Sequence, residues 1–410
     1  MTRPIRRLAI LGSGIEAALA EFVLTQRTGL EVASYSESNT PALSAAHSLL
    51  TPQALQKLEH AGLSLRDLLG LPGSLPTLGA RLSKEGQTRW RPFGPCGLDW
   101  AGTGFHHHWL RARHGGLTVP YAAFSPAYRA MQENRFAPPD RRNRIGALQH
   151  ESGLHVHPAA LFDRLAQARQ AHPIHSGLDV DADLIIDARE ITPGFERAET
   201  GIVQPCSVWT CGAGELHVSI PLRGETLEQR IAPASPTTAI LPPWTGNRVS
   251  IGQAAHAGPC LPGLAVERLL FELDLLIELM PDAACDTAET LEYNRIWIEE
   301  MKEVDALVSL YLDVENPRAS ERLQMFQHRG YVRSLDTSLI TESDWISHAL
   351  ALGHIPRHHD PLSHRLDDSR LKLELGQLLR KVNTVSGEFP PFAVYLEAID
   401  KALGRAEETA

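Results

Sequence analysis

Three small residues near the start of the chain have the spacing of a phosphate-binding turn. Gly12, Gly14 and Ala17 follow an apolar run at residues 8–11 in the pattern GxGxxA. In a βαβ unit the first glycine permits the tight turn, the second lets a pyrophosphate approach the backbone, and the small third residue keeps helix and strand close. The amide groups that begin the next helix would then face the phosphates. The pattern therefore predicts a dinucleotide site.

An acidic residue follows at the position expected to contact a ribose. Residues 16–25 have the pattern of a helix and residues 31–35 that of a second strand, and Glu37 comes directly after that strand. Its carboxylate can accept hydrogen bonds from ribose hydroxyls. The order of strand, helix, strand and acid makes the glycine pattern more specific than it is alone.

The remaining elements predict an α/β fold. Further strands are expected at residues 183–187, 217–222 and 247–252, and helices with apolar faces at residues 266–280, 289–313, 369–382 and 392–403. We assign residues 1–310 to a Rossmann-like domain, with substrate-binding segments inserted at about 70–180 and 200–240. Residues 311–410 are assigned to a C-terminal helical region packed on that domain.

An ordered set of short segments resembles the flavin-dependent tryptophan halogenases. The segments are RPFG at 91–94, FHHHWLR at 105–111, NRVSIG at 247–252, EYNR at 292–295, SDW at 343–345 and DPL at 360–362. The resemblance implies the FAD-binding fold of flavoprotein monooxygenases, with an interleaved substrate module. It also implies that FAD is the cofactor. A separate reductase would reduce it, since we find no second nucleotide fingerprint for NADH.

Four segments depart from the motifs of that family. Residues 45–50 read AAHSLL where the family has GVGEAT, residues 216–221 read LHVSIP instead of WxWxIP, and residues 257–263 read AGPCLPG instead of FLEPLES. Thr77 stands where an ungapped count places the family's essential lysine. A threonine hydroxyl can neither form the lysine's adduct with oxidised halide nor carry its charge. The lost glycines of the 45–50 loop also restrict the approach of a flat ring system.

The segment that precedes residues 257–263 is similar to a different flavin loop. Residues 252–256 read GQAAH, which resembles the GDAAH…P…G loop of single-component aromatic hydroxylases. The resemblance gives Gly252, Gln253 and Pro259 as flavin contacts, with Gln253 hydrogen-bonded to a ribityl hydroxyl. His256 is then a candidate catalytic residue, although a structural, hydrogen-bonded histidine is an equal alternative.

Aromatic and imidazole side chains concentrate in a few short stretches. The aromatic stretch contains Trp90, Phe93, Trp100, Phe105 and Trp109. It is either a stacking platform for a planar substrate or a local hydrophobic core. From this region we take as substrate-binding candidates Phe93, Phe105, His107 and Trp109. Histidines cluster at 106–108, 155–157 and 358–359, but we expect no metal there, because consecutive residues of an extended segment point to opposite faces.

Composition excludes several classes of protein. The 410 residues include 39 lysines and arginines against 49 aspartates and glutamates, a net charge of -10. This charge argues against binding to nucleic acids or anionic membranes. No apolar run approaches the roughly 18 residues of a transmembrane helix. Five cysteines without CxxC spacing are typical of reduced thiols and predict a cytoplasmic location.

These observations give three hypotheses in order of preference. The first is an FAD-dependent monooxygenase acting on an indole- or tryptophan-like group, free or in a partner polypeptide, with a flavin reductase as a second partner. The alternative is a degenerate, non-catalytic relative that binds a ligand or partner. A side chain of His47 or Leu49 in the flavin position would favour this alternative. Halogenation ranks third because of the four replaced motifs.

Overall fold

The computed structural model describes most of the chain. The described residues are 3–139, 149–167, 171–173, 182–190, 195–199, 203–233, 240–334 and 337–404, apart from positions 37, 39, 284 and 286. Within them the strands are β1 (Arg7–Leu11), β2 (Glu31–Ser36), β3 (Leu49–Leu50), β4 (Leu75–Thr77), β5 (Gly79–Lys84), β6 (Gln87–Pro92), β7 (Gly153–His155), β8 (Ala171–Pro173), β9 (Leu184–Asp187), β10 (Glu196–Glu199), β11 (Ser207–Cys211), β12 (Leu216–Pro221), β13 (Glu225–Ile231), β14 (Trp244–Thr245) and β15 (Arg248–Ser250).

The α-helices of the described residues connect these strands and dominate the last third of the chain. They are α1 (Ile15–Thr28), α2 (Pro52–His60), α3 (Leu65–Leu69), α4 (Phe105–His114), α5 (Pro126–Gln132), α6 (Pro158–Ala166), α7 (Gly252–Ala255), α8 (Leu264–Glu278), α9 (Thr287–Leu312), α10 (Pro317–Arg329), α11 (Glu342–Leu352), α12 (Asp368–Glu388) and α13 (Phe392–Leu403). Short 3₁₀ helices lie at Ala45–His47, Tyr121–Phe124 and Pro361–Arg365.

The first sheet has the order β14-β15-β9-β1-β2-β8. Strand β1 pairs in parallel with β2 on one side and with β9 on the other. Its last four residues are buried, as expected for an apolar strand covered on both faces. Helix α1 links β1 to β2, so the βαβ unit and the α/β fold class predicted from the sequence are confirmed.

Two further sheets are built from the segments between the Rossmann-like strands. One has the order β10-β13-β12-β11-β5-β6 and is antiparallel except where β11 runs parallel to β5. The other is a small sheet in the order β3-β7-β4. The three sheets are interleaved along the chain. After β2 of the first sheet the chain forms β3 to β7, which belong to the other two sheets, and it returns to the first sheet at β8 and β9.

The C-terminal helices pack onto the rest of the chain through one large apolar core. Trp297 of α9, Phe326 of α10 and Trp345 of α11 belong to the same buried cluster as Ile10 of β1. Helix α11 also packs on β5 and β6, and α12 packs on α4 and α5. Helix α9 ends at Leu312, two residues beyond the domain boundary that we expected, and the division into two domains remains a prediction.

The expectation that residues 106–108 are extended is wrong. They lie in α4, which begins after Gly104, and the Asp99 carboxylate accepts the Phe105 amide hydrogen there. Each imidazole is tied to a different part of the backbone. His106 bonds the Gly330 carbonyl, His107 accepts the Asp360 amide hydrogen, and His108 bonds the Trp100 carbonyl.

The length and composition of the helices bear on membrane insertion. None of those that the structure describes combines the length and the apolar character needed to cross a bilayer.

Candidate cofactor and substrate sites

The turn between β1 and α1 has room only for small residues. Gly12 has φ +147°, and a Cβ added there would lie 2.5 Å from the Ala188 carbonyl oxygen and 2.9 Å from the Ala17 Cβ. Gly14 precedes α1 and supplies no side-chain cap, so the first amide groups of the helix point into the space beside it. This geometry provides an anion-binding cradle at the start of α1.

An acidic side chain of the protein itself fills this cradle. Glu190 follows β9, and its Oε1 accepts the Glu16 amide hydrogen at 2.7 Å. A Cβ added to Gly14 would lie 1.6 Å from the Glu190 Oε2. The carboxylate therefore stands in for a phosphate at the helix N-terminus, which favours negative charge. Nothing in the spacing of the sequence pointed to Glu190.

Two other ionisable side chains lie against this carboxylate. His47 Nε2 is 3.4 Å from Glu16 Oε1, and both side chains are completely buried. Burial lowers the pKa of His47, but the close contact with Glu16 and the charges of Glu190 and Glu16 raise it more, so its pKa lies above the ordinary value. Burial raises the pKa of Glu190 to about 7. His47 and Leu49 are the two residues whose presence in the flavin position would favour the non-catalytic alternative. His47 lies beside Glu16, and Leu49 lies close to Gly263.

The second predicted flavin loop borders a cavity of about 380 Å³, which we call the Gln253 cavity. Its wall includes Gln253, Pro259, Arg268, Ser44 and Ala46. The backbone N–H of Gln253 donates to Glu16 Oε2 at 2.8 Å, and the backbone N–H of Gly252 donates to Glu272 Oε2 at 2.6 Å. Gly252 has φ +57°, and a Cβ there would lie 2.0 Å from Glu16 Oε2. The glycine is therefore required by the buried Glu16.

His256 is held by its neighbours and does not line the Gln253 cavity. Its Nε2 lies 2.8 Å from Asp305 Oδ1 of α9, and its carbonyl oxygen accepts a hydrogen bond from Arg268. The ring is almost fully buried and does not border the Gln253 cavity. These contacts are those of a positioning residue for the 252–259 loop.

A second cavity, of about 290 Å³, lies on the other side of the segment 260–265, and we call it the Glu267 cavity. Cys260 and Ala265 border the Gln253 cavity, whereas Leu261 and Leu264 border the Glu267 cavity. One short stretch of chain therefore separates the two spaces. The lining of the Glu267 cavity also includes Phe93, Trp209, Arg91, Glu151, Leu307, Leu339, Asp344 and His348.

Arg91 and two aromatic rings form the centre of this wall. The Arg91 guanidinium carbon is 5.6 Å from the ring centroid of Phe93 and 5.6 Å from that of Trp209. These distances are within the range of a cation–π contact. Trp209 is fully buried and donates its indole N–H to Ser207 Oγ at 2.9 Å. The rings are thus fixed in place as part of the cavity wall.

Glu267 is the most perturbed acid of this cavity. It lies in the first turn of α8 and accepts a hydrogen bond from the Thr51 hydroxyl. Burial raises the pKa of Glu267 to about 7, and the hydrogen bond from Thr51 opposes that increase. Burial also raises the pKa of Glu151. Sequence reasoning missed Glu267; the available signal was an acid in the first turn of an apolar helix after the departing 257–263 segment.

His348 completes the polar lining as a neutral group. Burial and the charge of Arg91 hold its pKa well below the ordinary value. Its Nδ1 lies 2.6 Å from the Tyr311 hydroxyl, which fixes the ring. His348 therefore offers the cavity a neutral imidazole and leaves Glu267 as the better proton acceptor.

The four predicted substrate residues do not come together in one place. Phe93 borders the Glu267 cavity, whereas Trp109 borders another cavity of about 560 Å³ beside Trp90. Phe105 is buried, with its ring centroid 5.0 Å from that of Phe124. His107 makes its contacts with the backbone near Gly330 and Asp360, and borders neither cavity. The aromatic stretch is thus partly core and partly cavity wall.

The sequence analysis also singled out Thr77 and Glu37. Thr77 is fully buried in β4, with its hydroxyl 3.3 Å from the Gly79 carbonyl oxygen, and it does not border the Glu267 cavity. Glu37, the predicted ribose contact, lies outside the described residues.

The family model for tryptophan halogenases matches residues 7–190 and 240–368. The chain belongs to the tryptophan halogenase family. This confirms the resemblance that the ordered short segments indicated. The model match ends at Glu190 and resumes at residue 240, so part of the antiparallel sheet lies outside it.

Solved structures with the same fold cover nearly the whole chain. BrvH, a flavin-dependent halogenase from Brevundimonas sp. BAL3, is 18% identical with a TM-score of 0.81, covering 96% of this chain and 99% of its own. Xcc4156, a flavin-dependent halogenase from Xanthomonas campestris, is 19% identical with a TM-score of 0.79, covering 97% and 99%. The tryptophan 6-halogenase from Streptomyces toxytricini is 13% identical with a TM-score of 0.75, covering 96% and 100%. No curated protein sequence matches significantly.

FAD, reduced by a separate flavin reductase, is the cofactor that membership of this family implies. The residues at the turn fit its phosphates. Gly12 and Gly14 leave a cradle that any Cβ would close, and the bound Glu190 carboxylate demonstrates that the first amides of α1 hold an anion there. A phosphate in this position requires the Glu190 side chain to move away.

Proposed function

We propose that this protein is an FAD-dependent monooxygenase that acts on an indole- or phenol-like aromatic group in the Glu267 cavity. The observation that carries the proposal is an acid whose pKa is raised to about 7, in the same cavity as two fixed aromatic rings and next to the cavity of the second flavin loop. The substrate is a free aromatic molecule or a tryptophan side chain of a partner polypeptide.

The side chains of the cavity suit the binding of a flat aromatic ring. Phe93 and Trp209 belong to the cavity wall, and Leu261, Leu307 and Leu339 are among its other apolar residues. Rings that stack or meet edge-to-face against such surfaces gain about 0.5–1.5 kcal/mol beyond burial. Arg91 is held over both rings, so its charge stays near the aromatic site.

Glu267 is placed to take a proton from the substrate. A carboxylate with a pKa of about 7 is partly ionised at neutral pH and can accept the N–H or O–H proton of an electron-rich ring. Loss of that proton raises the electron density of the ring, which favours attack on an electrophilic oxygen. Thr51, which donates a hydrogen bond to Glu267, fixes the orientation of the carboxylate.

The cofactor would be held by Gly12, Gly14, Gln253 and Pro259. When bound in reduced form it supplies two electrons, with which dioxygen gives one oxygen atom to the product and one to water. The segment 260–265 borders both spaces, and the chain's task would be to bring the ring to the cofactor beside this segment and to exclude bulk water. The burial of Thr77 away from the Glu267 cavity supports oxygenation over halogenation.

The test is turnover of indole and tryptophan with chemically or enzymatically reduced FAD and isotopically labelled dioxygen. Wild-type protein should give a product that carries labelled oxygen, and Glu267→Gln should lose most of this activity while binding FAD normally. Glu278→Gln, on the exposed side of the same helix, is the matched control. Absence of oxygenated product from indole, tryptophan and tryptophan-containing peptides, in protein that binds FAD, would refute the proposal.

A cofactor-free ligand-binding protein is the second candidate, and Glu190 is the observation that favours it. The carboxylate already satisfies the start of α1, so this helix needs no phosphate for its stability. Quenching of flavin fluorescence separates the two candidates. No binding of oxidised or reduced FAD at millimolar protein would support the second candidate and eliminate the monooxygenase.

A further inference from the structure

Four buried polar atoms converge beside the start of α1 without a hydrogen-bond partner among the described residues. They are both ring nitrogens of His47, Oε1 of Glu16 and Oε2 of Glu190. Buried polar atoms in folded proteins almost always have a partner, since leaving one unpaired costs about 1–3 kcal/mol. Three side chains that share one unmet requirement point to a common ligand.

The spacing of these atoms matches the donor set of a metal ion. One donor atom from each of Glu16, His47 and Glu190 can be chosen so that all lie within 4.8 Å of one another. His47 Nε2 and Glu16 Oε1 are 3.4 Å apart. Two donors of a tetrahedral zinc ion, each about 2.0–2.1 Å from the metal, are separated by roughly the same distance.

The charges of the surroundings also favour a divalent cation. In ionised form Glu16, Glu190 and the adjacent Glu272 carry three negative charges, and Arg268, 3.9 Å from Glu272, carries one positive charge. Buried charges are stable only when they are paired or bind a metal. With a neutral His47, a divalent cation balances the two remaining negative charges.

We propose that Glu16, His47 and Glu190 form a buried binding site for a divalent transition metal, with Zn²⁺ as the ion of best fit. One imidazole and two carboxylates are ligands typical of zinc, and a fourth position would remain open for water. This is a site distinct from the Glu267 cavity. Because Glu190 is a ligand, an ion bound here also holds that carboxylate in the phosphate cradle, so the ion and the FAD phosphates would exclude each other.

The experiment is a titration of chelator-treated full-length protein with Zn²⁺ by calorimetry, followed by Co²⁺ as a spectroscopic probe. Wild-type protein should bind one Zn²⁺ per chain, and its Co²⁺ form should show visible d–d absorption. His47→Gln and Glu190→Gln should each weaken Zn²⁺ binding by at least about 10-fold, since changes even outside the ligand set cost 10- to 100-fold. Circular dichroism checks that each variant folds. Because Glu190 is half-buried and His47 is buried, Glu190→Gln should disturb the fold less than His47→Gln.

Two matched controls separate this site from surface histidines. His157→Gln removes a similar imidazole–carboxylate pair, 3.5 Å from Glu225, and should leave Zn²⁺ binding unchanged. His359→Ala removes the exposed contacts to His114 and His364 and should also leave it unchanged. Zn²⁺ binding that persists in both His47→Gln and Glu190→Gln, or that is lost in His359→Ala, or that never occurs, overturns the proposal.

Discussion

Replacing Glu267 with glutamine should make the protein's stability less dependent on pH. In the folded protein burial raises the pKa of Glu267 from its ordinary 4.5 to about 7. The carboxyl therefore binds its proton more tightly in the folded than in the unfolded chain. Its contribution to stability is fully present below pH 4.5 and is lost as the pH rises through 7.

The magnitude follows from the size of the shift. One pKa unit corresponds to about 1.4 kcal/mol. A shift of roughly 2.5 units thus corresponds to about 3 kcal/mol, an upper value because the side chain borders a cavity that admits water. Between pH 5 and pH 8 the wild-type protein should lose about 2–3 kcal/mol more of its free energy of unfolding than Glu267→Gln.

The assay is urea unfolding at several pH values for wild type, Glu267→Gln and Glu278→Gln. Comparing each variant with wild type cancels the other groups that titrate in this range, provided that the urea dependence is unchanged. Glu278 lies on the exposed face of α8, and its variant should follow the wild-type curve. Parallel pH curves for wild type and Glu267→Gln would mean that Glu267 is not a buried acid of raised pKa.

Four other outcomes are expected. Glu190→Gln should bind FAD roughly 10-fold more tightly in a flavin fluorescence titration without metal, because a carboxylate at a helix N-terminus is worth about 1–2 kcal/mol and would no longer compete; unchanged affinity would place the phosphates elsewhere. Gly12→Ala should abolish FAD binding and lower the melting temperature, since its Cβ would lie 2.5 Å from the Ala188 carbonyl oxygen; a stable variant that binds FAD would contradict this. Thr77→Lys should destabilise the protein by several kcal/mol without giving bromination of tryptophan, because a lysine there would be buried in β4; a brominated product would restore the halogenase hypothesis. The kcat/KM for oxygenation should rise with pH around a midpoint near 7, as Glu267 ionises, and Glu267→Gln should lack this transition.

Local patterns predicted the elements that bind the chain into its fold. Gly12, Gly14 and Ala17 indicated the βαβ unit because only small residues fit where helix and strand come close. The helices α8, α9, α12 and α13 were indicated by apolar faces. The bounds of α13 were predicted correctly, and the ends of the other three were displaced by one to six residues. By contrast, α4 was missed, since its four histidines and two arginines hide the apolar face formed by Phe105, Trp109 and Leu110.

The candidate site depended far more on contacts between distant parts of the chain. Glu190 lies 174 positions from Glu16 and Glu267 lies 216 positions from Thr51, so no spacing rule could have paired them. The same holds for Arg91 of β6 and Trp209 of β11. These two side chains come together because β6 and β11 lie on the two sides of β5 in the second sheet. The aromatic stretch was divided between core and cavity by packing that residue type does not reveal.

By itself the sequence determined the fold class, the family and the position of the glycine turn between β1 and α1, because these depend on residues close together in the chain. The replacement of the family's lysine by Thr77, inferred from an ungapped count, stays a prediction. Only the tertiary structure decided that Glu190 occupies the phosphate cradle, that His47 and Glu16 lie beside it, and that Glu267 is the acid of the aromatic cavity. Burial and the meeting of charges from separate strands and helices set these properties, and both exist only in the folded chain.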